Sequence, residues 1–411
     1  MFRPPVHEAI TAVSATSHPG DQMRSITNSM IEKRWYDVLS RLQCGRLEFV
    51  APDGEVHVAT GEKPGPSARF AIRDWDVLRH IVQRGDIALG EDYVDGAWET
   101  DDIEKLVSLF LVNIDALGSY AHGSFLSRLA LVISDRFIRR NSVDGSRRNI
   151  EAHYDVGNEF YSLWLDKSMT YSSALFGATA GNLEEAQGNK YQRILDRFTR
   201  PCASVLEIGC GWGGFAERAA QNGHRVTGLT ISPSQYRFAV ERVKGAAEIL
   251  LEDYRRAKGV FDNIVSIEMF EAVGEQYWPQ YFRTVADRLK QGGRALIQTI
   301  TIRDELFAEY RLRSDFIRHY VFPGGMLPSL QRFREEAERA GLKVVDHFAF
   351  GKDYARTLRE WSRRMQACSA EIKAMGHDDH FLRNWQYYLN ICAAAFSVGR
   401  TDVVQVELVR V

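Results

Sequence analysis

From residue 200 onward the chain alternates two patterns with little between them, and this alternation restricts the fold more than any other feature. Short apolar, β-branched runs ("ASVLEIGC", "HRVTGLTI", "AEILLEDY", "FDNIVSI", "RALIQTIT") are interleaved with amphipathic segments such as "GGFAERAAQNG", "SPSQYRFAVERVKG" and "YWPQYFRTVADRLKQGG". Runs without polar alternation are buried on both faces, and parallel neighbours need a crossover helix between them. The pattern therefore predicts an α/β domain with a doubly wound, mostly parallel sheet covered by helices. Ligands of such sheets sit beyond the carboxyl ends of the strands.

Between residues 25 and 130 the pattern is mixed: "SMIEKRWYDVLSRL" predicts a helix and "GRLEFVAPDGEVHVAT" a β-hairpin around a Pro-Asp-Gly turn. "DWDVLRHIVQRG" and "DDIEKLVSLFLVNIDAL" read as amphipathic helices with acidic first turns. A smaller N-terminal α+β domain is expected there, since 411 residues exceed the usual single-domain size. Residues 1–24 are expected to be a flexible leader, residues 131–150 a basic linker and residues 151–411 the larger domain. The linker carries Arg136, Arg139, Arg140, Arg147 and Arg148, either a solvated connector or a patch for anionic lipid headgroups.

A formal charge of −2 gives no global attraction to nucleic acid, and no apolar run approaches the roughly 20 residues that span a bilayer. The five cysteines lack CxxC spacing, which argues against a zinc cluster or disulfide framework and fits a reducing cytoplasm; no metal is expected.

"VLEIGCGWGGFAERAA" ends a strand, turns on Gly209, Gly211, Gly213 and Gly214, and opens a helix. Its spacing departs from the dinucleotide G-x-G-x-x-G, and Glu207 lies in the strand before it. This E-x-G-x-G-x-G form resembles the glycine loop of class I methyltransferases, which holds the amino-acid part of S-adenosylmethionine. The second strand ends in Leu229 and Thr230, without the acid that would bind a dinucleotide's ribose; Gln235 follows, and Asp253 and Tyr254 end the third. Leu229 also fits a core position, Thr230 a turn and Asp253 a helix cap. In order, at successive strand ends, they favour a bound cofactor.

The blocks "HYDVGNEFYSLWLDKSMTYSSALF", "VLEIGCGWGGFA", "LTISPSQYRFA", "FDNIVSIEMFEAVG", "FPGGMLPS", "FGKDYARTLREW" and "YYLNICAAAF" resemble successive blocks of the cyclopropane-fatty-acyl-phospholipid synthase and mycolic acid cyclopropane synthase family, from about residue 150 onward. Residues 25–130 are similar to the lipid-associated N-terminal domain of the bacterial phospholipid-acting branch. The resemblance implies methyl transfer from S-adenosylmethionine to a carbon–carbon double bond of an acyl chain. It implies cofactor contacts at Tyr171, Ser172, Glu207, Gly209, Gly211, Gly213, Leu229, Thr230, Gln235, Asp253 and Tyr254, and an acyl tunnel from residues 150–180, 300–330 and 350–400. Methyl transfer leaves a carbocation, for which Tyr171, Phe270, Tyr277, Trp278 and Tyr354 offer aromatic faces.

In the cyclopropane-forming members a bicarbonate ion, held by Cys, Glu, His and Tyr, is thought to take the final proton. Here the Glu is Glu271 and the Tyr is Tyr354, but the Cys position is Ser173 and the His position Gln298, which puts bicarbonate in doubt. The place three before Glu271, usually glycine, is Glu268. Two carboxylates facing one pocket are expected to raise one pKa by repulsion and burial, so that Glu268 replaces the bicarbonate as base. Contact with the cofactor's ribose or methionine part, or a capping role, stays open for Glu268. The expected product is a methyl-branched unsaturated acyl chain, phospholipid-bound, made at the cytoplasmic face of a membrane. Cyclopropane formation and a catalytically silent lipid-binding relative are the alternatives, and the resemblance leaves a homodimer open.

Overall fold

The computed structural model describes residues 19–118, 156–178 and 180–411, with side chains from residue 29. The five linker arginines and the first part of the expected leader lie outside the described residues. A first helix, Pro19–Leu39, begins inside the stretch read as leader. The strands β1 (Cys44–Val50), β2 (Val56–Thr60), β3 (Lys63–Ile72) and β4 (Trp98–Glu99) form a small sheet in the order β2-β1-β3-β4. The hairpin is present, with Arg46 opposite Thr60, and β3 adds to β1 in parallel. Trp35, Phe49, Phe70 and Trp98 fill the core of this unit, ring to ring at 5.6 Å (Trp35–Phe49) and 5.4 Å (Phe70–Trp98). The expected single helix over "DDIEKLVSLFLVNIDAL" breaks into Ile103–Val112 and Ile114–Leu117. Asn113 causes the break: its buried side chain accepts from the backbone N–H of Gln43 and Cys44 and donates to the carbonyls of Cys44 and Leu109, all at 2.9 Å.

The large sheet comprises β5 (Ser204–Ile208), β6 (Arg225–Thr230), β7 (Glu248–Leu251), β8 (Phe261–Ile267), β9 (Leu289–Ile302), β10 (Leu342–Ala349) and β11 (Thr401–Arg410). Its order is β10-β11-β9-β8-β5-β6-β7, parallel throughout except for β11, which runs antiparallel to both neighbours. The chain winds outward from β5 through β6 to β7, then returns to lay β8 and β9 on the other side. That reversal opens a crevice at the carboxyl ends of β5 and β8, where the glycine turn and the segment carrying Glu268 and Glu271 both emerge.

The small sheet is not loosely tethered. One hydrophobic cluster runs from Trp35 and Trp98 to Trp164, Trp361 and Tyr387. Tyr93 stacks on Tyr387 at 5.5 Å, and Arg359, on the helix Gly351–Ala367, makes a two-pronged pair with Glu104 at 2.6 and 2.7 Å. Gly90 lies so close to the larger unit that a Cβ there would sit 2.3 Å from the Phe316 ring and 2.7 Å from Tyr387. Among the described residues no helix is long and apolar enough to cross a membrane.

Candidate active site

A cavity of about 320 Å³ occupies the crevice. Its walls come from the ends of β5, β6 and β8 and from residues 169–172, 310–327 and 354–396, so all three segments expected to build an acyl tunnel contribute. Gly209 and Gly211 line it with φ of 83° and 52°, the left-handed region that glycine enters without penalty. A Cβ on Gly209 would meet Met269 at 2.8 Å, whereas one on Gly211 would meet no protein atom within 4 Å. The opening at Gly211 is room for a ligand. Gly213 departs from expectation: a Cβ added to it would lie 3.1 Å from the Ala239 Cβ, and it serves the packing of the helix Pro233–Val243 instead of lining the cavity.

Glu207, at the end of β5, is buried, and its Oε2 has no hydrogen-bond partner. Burial pushes its carboxyl up to about 8, against the pull of Lys190. An unpartnered acid oxygen beside an open glycine turn fits the amino-acid part of S-adenosylmethionine. Leu229, Thr230 and Gln235 line the same side, with the Thr230 hydroxyl donating to Gln235 Oε1 at 3.0 Å. Asp253 and Tyr254 also line it, but the Asp253 carboxylate is already engaged by Arg255: backbone N–H at 2.9 Å, Nε at 2.8 Å and Nη2 at 2.7 Å. Asp253 thus caps the turn Tyr254–Arg256 and at the same time lines the cavity.

Glu268 follows β8 with φ of 49°, unusual for a residue with a side chain and natural for the glycine that the resemblance places there. Its carboxylate is held at three points. Oε1 accepts from the Ser173 backbone N–H at 2.8 Å and from Gln298 Nε2 at 2.7 Å; Oε2 accepts from the Tyr354 hydroxyl at 2.6 Å. The direction of the Gln298 bond follows from a chain of amides. Arg193 can only donate, so Gln405 Oε1 accepts from it at 2.9 Å; Gln405 Nε2 then donates to Gln298 Oε1 at 3.0 Å, which turns the Gln298 NH₂ toward Glu268. Three of the four positions that the resemblance assigns to a bicarbonate cradle, Ser173, Gln298 and Tyr354, therefore converge on a carboxylate belonging to the chain itself.

Glu271 lies in the following short turn, where Oε1 accepts from the Ile300 N–H at 2.5 Å and Oε2 has no hydrogen-bond partner. Both glutamates line the cavity, and what exposure they retain is to its interior. Burial, then the charge of Glu268, pushes Glu271 up to about 8. Burial also raises Glu268, but Lys190 and its three donors oppose that rise. The pair is split by environment: Glu271 carries a proton at neutral pH, while Lys190 and three hydrogen bonds favour the ionised form of Glu268 against its burial.

Of the five aromatic residues expected at a cation, Tyr171 and Tyr354 line the cavity. Phe270 and Trp278 do not: they stack on each other at 5.3 Å inside a separate core with Phe282 and Phe333. Tyr277 instead lies under the Arg255 guanidinium at 5.7 Å. The residue missed on this wall is Tyr388, whose hydroxyl meets that of Tyr171 at 3.0 Å. It shares one face of the helix Asp379–Ser397 with Cys392, Ala395 and Phe396, a spacing already present in "YYLNICAAAF".

Comparison with known proteins agrees with this geometry. A family model described as mycolic acid cyclopropane synthetase matches residues 141–406. A tuberculostearic acid methyltransferase of Mycobacterium tuberculosis is 34% identical over 89% of this chain and 88% of its own length. A cyclopropane-fatty-acyl-phospholipid synthase of Escherichia coli is 36% identical over 84% of this chain and 88% of its own. Among solved structures, a cyclopropane synthase of Mycobacterium tuberculosis superposes with a TM-score of 0.60 at 30% identity, covering 64% of this chain and 98% of its own. A mycolic acid cyclopropane synthase solved with SAH and CTAB gives the same TM-score of 0.60 at 31% identity, covering 64% of this chain and 98% of its own. The chain belongs to the mycolic acid cyclopropane synthetase family, and its large sheet is the S-adenosylmethionine-dependent methyltransferase fold.

Proposed function

We propose that this chain transfers a methyl group from S-adenosylmethionine to a double bond of an unsaturated, phospholipid-borne acyl chain, and that Glu268 removes a chain proton to leave a methyl-branched unsaturated product. The observation that carries this reading is the grip of Ser173, Gln298 and Tyr354 on the Glu268 carboxylate. The cofactor supplies an electrophilic methyl, and Glu207, Gly209, Gly211, Leu229, Thr230 and Gln235 are the residues that would hold it. An alkene is a poor nucleophile, so the chain's task is to hold it in line and exclude water. Phe322, Leu358, Tyr388 and Phe396 supply apolar wall for that purpose.

Addition of the methyl leaves a positive charge on the acyl chain, faced by the Tyr171 and Tyr354 rings and by the Glu268 carboxylate. Oε1 of Glu268 already takes two donors, whereas Oε2 takes only the Tyr354 hydroxyl. Oε2 is thus the atom with room to accept the proton. Loss of a neighbouring chain proton gives the branched alkene; loss from the new methyl gives a ring. The altered Ser173 and Gln298 positions, and a relative named for methyl transfer, support the branched product. The relatives named as cyclopropane synthases support ring closure as the second reading.

The test is lipid mass spectrometry on a host expressing the protein with methyl-labelled methionine. Both products gain the same mass from a carbon-13 methyl, but hydrogenation saturates a branched alkene without opening a ring. Glu268→Gln should slow turnover by roughly 10²–10⁴-fold, the usual value of a positioned base, while keeping cofactor affinity. Cyclopropane as the sole product would overturn the branched assignment, and a fully active Glu268→Gln variant would overturn the base.

A further inference from the structure

The helix Leu183–Leu195 turns a buried face onto the loop that carries Ser172 and Ser173. Gln187 Nε2 donates to the carbonyls of Ser172 at 2.9 Å and Thr170 at 3.4 Å, and the Tyr191 hydroxyl meets Thr170 Oγ1 at 2.7 Å. Between them Lys190 Nζ donates to Ser172 Oγ at 2.6 Å, and the lysine is 0% exposed. The next residue, Ser173, gives its N–H to Glu268. A buried ammonium thus ends one residue from a donor to the proposed base, behind the cavity wall and out of reach of substrate.

Full burial of a lysine is costly unless negative charge faces it. The groups that do so are Glu268, Asp166 and Glu207, with the Tyr191 ring 4.7 Å from Nζ. The titratable groups facing Glu268 in turn are Lys190, Tyr354 and Glu271. Glu207 and Glu271 are protonated near neutrality, and Ser168 donates its backbone N–H at 2.9 Å and its hydroxyl at 2.5 Å to Asp166 Oδ2, so that Glu268 and Asp166 are the carboxylates that face the lysine. Lys190 is the cation that faces Glu268.

We propose that Lys190 is a positioning residue: tethered to Ser172, its ammonium seats the Ser172–Ser173 backbone on Glu268 and keeps that carboxyl group ionised, and so basic, in a water-poor cavity. This rests on Glu268 being the base. Burial lowers Lys190 to about 7 and raises Glu268, so each charge sustains the other. The sign follows directly. The base works when deprotonated, so activity falls as pH drops through the Glu268 pKa; removing the ammonium raises that pKa and moves the acidic limb of the rate profile to higher pH.

The experiment measures kcat/KM against pH for the full chain, with labelled S-adenosylmethionine and vesicles of an unsaturated phospholipid. It compares wild type, Lys190→Met, Lys190→Arg, Glu268→Gln and the double variant Lys190→Met/Glu268→Gln, with cofactor affinity and melting temperature alongside. Lys190→Met should shift the acidic limb upward by about one pH unit, as expected for loss of one nearby opposite charge. Lys190→Arg should return it toward wild type, and the double variant should be no slower than Glu268→Gln alone. An unshifted limb in Lys190→Met, where Glu268→Gln abolishes that limb, overturns the lysine's role and leaves the base intact. A limb that survives Glu268→Gln overturns the base reading itself. If Lys190→Met is too unstable to assay, the double variant, which removes both buried charges, should recover much of the lost melting temperature; a double variant no more stable than the single one overturns the pairing.

Discussion

Cutting Glu268 back to glycine removes the carboxylate but leaves its three donors aimed at the space it filled. The backbone gains from the change. At φ of 49° a side chain costs roughly 1–2 kcal/mol that glycine does not. Against this, each buried donor left unsatisfied costs about 1–3 kcal/mol, less where cavity water reaches it. The variant should therefore lose a net of about 1–8 kcal/mol of stability, at the low end where cavity water reaches the donors, while turnover falls by roughly 10²–10⁴-fold for want of a base. Bicarbonate is slightly smaller than the departed side chain and accepts the same donors. Three charge-assisted hydrogen bonds are worth about 5–9 kcal/mol in sum. After at least about 4 kcal/mol for lost ligand freedom, a dissociation constant of about 0.2 mM or weaker remains. Methyl transfer by Glu268→Gly in carbon-dioxide-depleted buffer should thus rise with millimolar bicarbonate, while the wild type does not respond. A wild type that needs bicarbonate, or a glycine variant as fast as wild type without any anion, would refute the reasoning.

Gly211→Asn should fold, because asparagine tolerates left-handed backbone, yet lose affinity for S-adenosylmethionine in calorimetry, because its side chain fills the opening beside the turn; undiminished affinity would remove the turn from the cofactor site. Glu271→Gln tests linkage: a carboxyl raised to about 8 contributes stability that is full below its unfolded value and is lost as pH rises through 8. Relative to this variant the wild type should lose about 1.4 kcal/mol per pH unit across that window in chemical denaturation, and parallel stability curves would contradict it. Cys392→Phe places bulk on the cavity face of its helix and should shift product toward shorter acyl chains in lipid analysis; an unchanged chain-length profile would move the acyl path elsewhere.

The strands from β5 to β9 were legible because their apolar runs have no other home than a doubly covered sheet. β3 escaped notice, for "KPGPSARFAI" opens with prolines and glycine that speak against a strand. Glu268 and Glu271 stood out in the sequence as acids among bulky neighbours. What held Glu268 did not, since it depends on register: Gln298 pairs with Ile267, and Gln405 lies directly across from Gln298 in the antiparallel pair. Lys190 was invisible for the same kind of reason, as a lysine on an amphipathic helix reads as solvated until the helix is seen to turn that face inward. Phe270 and Trp278 were misplaced because chain spacing around a tight turn does not say which rings point to the cavity and which to the core.

Gly90 makes the small unit a wedge against the reaction chamber. Its two contacts, Phe316 and Tyr387, each precede a cavity-lining residue, Ile317 and Tyr388, on two different walls. A single added methyl at position 90 has to push one ring or the other, and in a close-packed interior that push is handed on instead of absorbed. Two walls of the cavity are thus braced from outside by a residue that does not line it, and the small unit is part of what fixes the cavity's shape.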